Sequence, residues 1–210
     1  MRIIILSHPR SCSTYLQHIL SQKLNLQDWG EMVGPKVPHV LKQDELYLYD
    51  NYVTKLLTLH LLSNLFQLEN IKWELIDQVF ITERYNITDQ TCSMMYKWTS
   101  HKNGNFIDVK SDLFINLVKS LNIFYLAKDF LLENTNAKVI TYEMFQKSPE
   151  EYIDELNNIT NYNFTLDECK SIKNTKDYSK IIENYQEVKE VVESSCDGTG
   201  RRSGLKIRRP

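Results

Sequence analysis

The run Ile3-Ile4-Ile5-Leu6, closed off by Pro9, constrains this chain more than any other feature. Consecutive apolar residues rich in β-branching cannot alternate between core and solvent. A strand of that kind must be covered on both faces, as in a buried parallel sheet. From Ser13 the period changes. Leu16, Ile19, Leu20 and Leu24 recur at helical spacing, which predicts a helix to about Asn25. The chain therefore opens on a strand–loop–helix unit.

The same alternation continues. Tyr52 to Leu57 and Val79 to Thr82 read as strands, and Thr88 to Ser100 as a helix. Ser111 is placed as the N-cap of a long helix carrying Leu113, Leu117, Leu121, Phe124 and Leu131. Ala137 to Tyr142 is the next strand. Ser148-Pro149-Glu150-Glu151 combines cap, first-turn proline and acids, a strong helix start. A last helix is expected over about Tyr178 to Glu193. Residues 28–50, with Gly30, Gly34, Pro35 and Pro38, read as loop. Strands alternating with helices predict a three-layer α/β fold, its mostly parallel sheet flanked by helices. One domain over 1–193 is expected. Beyond it, 194–210 holds glycines and basic residues without apolar periodicity and reads as a disordered basic tail.

The 210 residues carry a formal charge of −2, which gives no reason to expect nucleic acid or an anionic membrane as partner. Cys12, Cys92, Cys169 and Cys196 form no Cys-x-x-Cys pair, so neither a metal site nor a disulfide framework is expected, and a reducing compartment fits. The opening apolar run is too short for a signal peptide, and no stretch approaches the ~20 residues of a membrane span. A cytoplasmic location is expected. The sequons at Asn86, Asn158 and Asn163 are read as chance in an Asn-rich chain.

The turn after the first strand is the usual anion site of such folds, because free backbone N–H groups and the helix dipole point at it. Here it reads Ser7-His8-Pro9-Arg10-Ser11-Cys12-Ser13-Thr14. Arg10 can fork two phosphate oxygens while hydroxyls and N–H groups take the rest. The glycines and lysine of a nucleoside-triphosphate loop are absent, which disfavours ATP or GTP hydrolysis. On the chain alone, Ser11 and Ser13 serve equally well as helix caps.

Pro9-Arg10-Ser11-Cys12-Ser13-Thr14 after an apolar strand resembles the sulfotransferase loop Pro-Arg/Lys-Ser-Gly-Ser/Thr-Thr. Cys12 stands where that family has Gly, a residue that permits unusual backbone angles and close ligand approach. The resemblance implies a P-loop-like architecture, close to small bacterial and phage-type members. It also implies that Arg10, Ser11, Cys12, Ser13 and Thr14 hold the phosphosulfate end of 3′-phosphoadenosine 5′-phosphosulfate. A second anchor is similar too. Arg84 ends the strand Val79 to Thr82, and Ser93 follows in the next helix, with Asn86 and Gln90 between. In the family, that Arg and Ser hold the 3′-phosphate. The plain alternative is Arg84 paired on the surface with Asp89 or Glu83. Val139 to Phe145 with Ser148-Pro149-Glu150, and Ile181 to Val188, are weaker echoes of the same family.

The implied reaction moves a sulfuryl group to an acceptor hydroxyl or amine on a small molecule, sugar or peptide, and needs a base. Glu31, after Gly30, is the first candidate, because several sulfotransferase groups place a Glu shortly after the first helix. His39 and His60 are the histidine alternatives, and His8 reads as packing. Lys55, at a strand end, is placed to assist the charge. Arg10 serves the leaving group. Two other readings stay open: a module of the same fold that binds without turnover, kept alive by Cys12, and a divergent kinase-like P-loop enzyme.

Overall fold

The computed structural model describes residues 1–31, 46–62, 67–103, 105–169 and 176–196. They form a parallel sheet of β1 (Arg2–Ser7), β2 (Gln27–Glu31), β3 (Tyr52–Leu57), β4 (Gln78–Glu83) and β5 (Lys138–Thr141), in the order β2-β3-β1-β4-β5. The helices are α1 (Ser13–Leu24), α2 (Thr58–Leu62), α3 (Ile87–Asn103), α4 (Asp112–Asn134), α5 (Pro149–Thr160) and α6 (Tyr185–Cys196). No helix among the described residues is long and apolar enough to cross a membrane.

The apolar run of β1 is covered on both faces, as its composition requires. Ile3 and Ile5 pack with Leu16, Ile19 and Leu20 of α1 and with Tyr152, Ile153 and Leu156 of α5. Ile4 and Leu6 point the other way, into a core shared with α3, α4 and α6 through Met95, Leu117, Leu121, Val188 and Val192. The two-residue period of β1 thus divides one strand between two cores. The sheet is parallel throughout and carries helices on both faces.

The helix starts read from sequence hold at atomic level. The Ser111 hydroxyl accepts from the Phe114 N–H at the start of α4. Ser148 accepts from the Glu151 N–H at the start of α5, with Pro149 in the first turn.

Two expectations are corrected. Residues 28–31 fall in the segment read as loop, yet with Gln27 they form β2, an edge strand paired with β3 alone. It lacks an apolar run because it is largely open to solvent, and its register shifts between Asp28 and Glu31. At the other end, Tyr178–Lys180 forms a separate 3₁₀ turn, and α6 begins only at Tyr185. α6 also runs past 193 to Cys196, whose side chain is fully buried, so residues 194–196 belong to the fold rather than to a tail. Residues 197–210 and 32–45, with His39, lie outside the described residues.

Sheet order locates the functional edge. The chain leaves β1 for β2 and β3 on one side, then crosses to β4 and β5 on the other. Ser7 aligns with Leu57 of β3 and Thr82 of β4, so the three strands end level. The reversal between β1 and β4 is the crevice where open α/β sheets place ligands.

Candidate functional site

The loop from β1 to α1 lies at that crevice and holds an unusual backbone. Arg10 and Cys12 both adopt left-handed angles, φ 68° and φ 63°. The second is the position where the resembling motif has Gly. Cys12 therefore holds an angle that glycine adopts freely, at about 1–2 kcal/mol of strain for an L-residue, and adds a side chain that a glycine lacks.

Ser11 closes this loop from within. Its hydroxyl donates to the His8 carbonyl at 2.8 Å and lies 2.8 Å from the Thr82 hydroxyl on β4. Its side chain is committed to the fold, which leaves backbone N–H as its contribution to a ligand. Gln90 of α3 donates to the Pro9 carbonyl at 2.8 Å and fixes the loop from the other side. His8 is buried, and desolvation pushes its pKa down to about 4. Its Nε2 lies 3.0 Å from the Ser120 hydroxyl, and Ser120 donates to the Leu117 carbonyl. His8 Nε2 is therefore the donor to Ser120, and the ring stays neutral as packing.

The helix that follows is open at its start. Cys12 is the N-cap of α1 and makes no side-chain cap, and the first turn carries no acid. Neither Ser11 nor Ser13 caps it. α3, α4 and α5 all carry an acid in the first turn. The partial positive charge of α1 is thus left uncompensated beside the crevice.

Two guanidiniums stand there. Arg10 donates through Nε to the Ser93 hydroxyl at 3.0 Å. Arg84, just past β4, is only 6% exposed and lies over the Tyr142 ring at 4.2 Å. Its Nη2 is 3.7 Å from Asp89, and its Nε is buried with no hydrogen-bond partner. The alternative that paired Arg84 with Asp89 on the surface is right about the partner and wrong about the setting, while Glu83 pairs with Lys128. A buried guanidinium with an unpaired N–H is a polar group awaiting a partner. Ser93, expected beside Arg84, is bonded instead to Arg10. Burial pushes the Cys12 thiol up to about 11, against the pull of Arg84 and Arg10, so it is a neutral thiol rather than a nucleophile.

Glu31 also reaches the loop. Gly30 takes φ +67° at the register shift in β2, and its carbonyl accepts from Gln17 of α1 at 2.8 Å. The bend sets Glu31 3.6 Å from Lys55 Nζ, and Lys55, buried within β3 rather than at its end, donates to the Thr14 hydroxyl at 2.8 Å. A carboxylate, an ammonium and the first turn of α1 are thereby connected. Of the histidine alternatives, His60 Nδ1 accepts from the Leu57 N–H and holds the β3–α2 turn.

No protein-family model, curated protein or solved structure matches this chain. Its chemistry must be argued from the site. Sequence reading named Asp89 only as a surface partner of Arg84, and it missed Tyr178 and Tyr185 as members of the site, since their roles rest on contacts between distant segments. Tyr185 donates to Asp89 at 2.9 Å, and Tyr178 to Ser93 at 3.1 Å.

Proposed function

We propose that this chain is a sulfotransferase, taking 3′-phosphoadenosine 5′-phosphosulfate as donor and passing the sulfuryl group to an acceptor hydroxyl or amine. One observation carries the reading. At the crevice between β1 and β4, two arginines act on Cys12, the N-cap of a helix that has neither a side-chain cap nor an acid in its first turn. Such a place suits a ligand with separated anionic groups.

In this reading, Arg10 and the first-turn N–H groups of α1 take the phosphosulfate end, with Ser13, Thr14 and the backbone of Ser11 and Cys12 around it. Arg84 and the Ser93 hydroxyl take the 3′-phosphate. The acceptor oxygen bonds to sulfur as the bond from sulfur to the bridging phosphate oxygen breaks. The phosphate leaves with that electron pair, and fixed positive charge at the loop stabilises it. Glu31 takes the acceptor's proton, and Lys55 stands between this base and the loop. No metal ion enters the scheme.

The test is transfer of a labelled sulfuryl group from the donor to sugars, phenols and tyrosyl peptides. Label on one acceptor class, lost in Arg10→Ala, supports the reading. Tight binding of adenosine 3′,5′-bisphosphate without transfer to any acceptor would make the chain a binding module instead.

A further inference from the structure

Asp89 and Ser93 sit four residues apart on α3, and so share one face of the helix. Each faces an arginine of the crevice: Asp89 is 3.7 Å from Arg84, and Ser93 accepts from Arg10. Each also receives a tyrosine hydroxyl from the C-terminal segment. Tyr185, the first residue of α6, donates to Asp89 Oδ1, and Tyr178 of the preceding 3₁₀ turn donates to Ser93 Oγ. Tyr178 is buried, with its ring edge-on to Tyr96 of α3.

The consequence for Ser93 is chemical. A serine hydroxyl has one proton and two lone pairs. Arg10 and Tyr178 occupy both lone pairs, so the proton of Ser93 must be given in a third direction. Among the described residues none accepts it. Arg10, in turn, bonds Ser93 through Nε alone, leaving its two Nη groups as a fork.

We propose that Tyr178 and Tyr185 are positioning residues for the anion site: through Ser93 and Asp89 they set the direction and spacing of Arg10 and Arg84, and Tyr178 turns Ser93 into an obligate donor toward an anion. The C-terminal segment is then part of the nucleotide site without touching the nucleotide. This inference rests on the bisphosphate-nucleotide reading above.

The test is calorimetric titration of adenosine 3′,5′-bisphosphate into the full chain and its variants. Tyr178→Phe keeps the packing and removes the hydroxyl, and should weaken binding by about 3–10-fold, the usual worth of one hydrogen bond. In a Ser93→Ala background the same change should have no further effect, because Tyr178 acts through Ser93. Tyr185→Phe should behave likewise through Asp89, with Asp89→Ala as its background because an asparagine would still accept from the tyrosine, and it carries the test if Tyr178→Phe loses its fold. Affinity unchanged in the tyrosine variants, while the wild type binds, overturns the inference and leaves the nucleotide reading standing. An equal loss in both backgrounds overturns it too, since a merely structural tyrosine would not depend on Ser93. A wild type that does not bind the bisphosphate overturns the nucleotide reading, and the inference falls with it.

Discussion

Replacing Cys12 separates the two properties that glycine would have at this position. The residue is held at φ 63°, where an L-side chain suffers about 1–2 kcal/mol of strain. In Cys12→Ala that strain stays and the sulfur is lost. In Cys12→Gly the strain goes, but the unfolded chain gains freedom worth roughly 0.5–1 kcal/mol, and a half-buried side chain against the α1–α5 core is removed, worth about the same. Cys12→Gly should therefore lie within about 1 kcal/mol of wild type. It should be more stable than Cys12→Ala by about 1 kcal/mol, the reverse of the order found inside a helix. Urea unfolding with unchanged m-values reads the difference. Donor affinity in Cys12→Gly should equal or exceed that of wild type, because the loop keeps its angles and loses an obstruction. A glycine variant less stable than the alanine variant would refute the reasoning, and abolished binding would show that the thiol contributes directly.

Three further outcomes are expected. Arg84→Ala should weaken adenosine 3′,5′-bisphosphate by roughly 1.5–3 kcal/mol, the worth of a charged hydrogen bond, and adenosine 5′-phosphate far less; equal losses in a titration would remove Arg84 from the 3′ end. Glu31→Gln should leave donor binding nearly intact and slow transfer by about 10²–10⁴-fold, with His39→Asn and His60→Asn as controls; a histidine variant that alone stops turnover would reassign the base. Burial holds His8 at about 4 against an unfolded value near 6.5, so the unfolded chain binds the extra proton in that window. His8 should therefore contribute full stability above about pH 6.5 and lose it as pH falls toward 4, by up to about 3 kcal/mol. The pH profile of unfolding should be flatter in His8→Gln, and parallel profiles would contradict the assignment.

What could be read from residue order was whatever has a local cause. The Ile3 to Leu6 run implied burial on both faces, and the sheet provides it. Ser111 and Ser148 announced their helices through side-chain chemistry within three residues. β2 escaped because an edge strand needs no apolar run, and Gln27–Glu31 is held by its pairing with β3 and by Gln17 from α1. The site divided the same way. Arg10 and Arg84 were visible by position after their strands, and Ser93 and Glu31 were singled out through the resemblance to sulfotransferase motifs. That Ser93 would meet Arg10 rather than Arg84, that Ser11 would turn inward to Thr82, and that Tyr178 and Tyr185 would stand behind α3 depend on how separate elements pack. No local pattern encodes those contacts.

The claim that the β1–β4 crevice is a bisphosphate-nucleotide site is tested most directly by thermal unfolding with ligand. At a hundredfold excess over its dissociation constant, a ligand specific for the folded state adds about 2.7 kcal/mol. For a chain of this size that corresponds to a rise in Tm of about 5–10 °C. Adenosine 3′,5′-bisphosphate without magnesium should produce such a rise, and Arg84→Ala should reduce it sharply. ATP with magnesium should produce none, since the loop has neither the lysine nor the glycines that a triphosphate requires. A rise with ATP and magnesium, and none with the bisphosphate, would contradict the account at its centre.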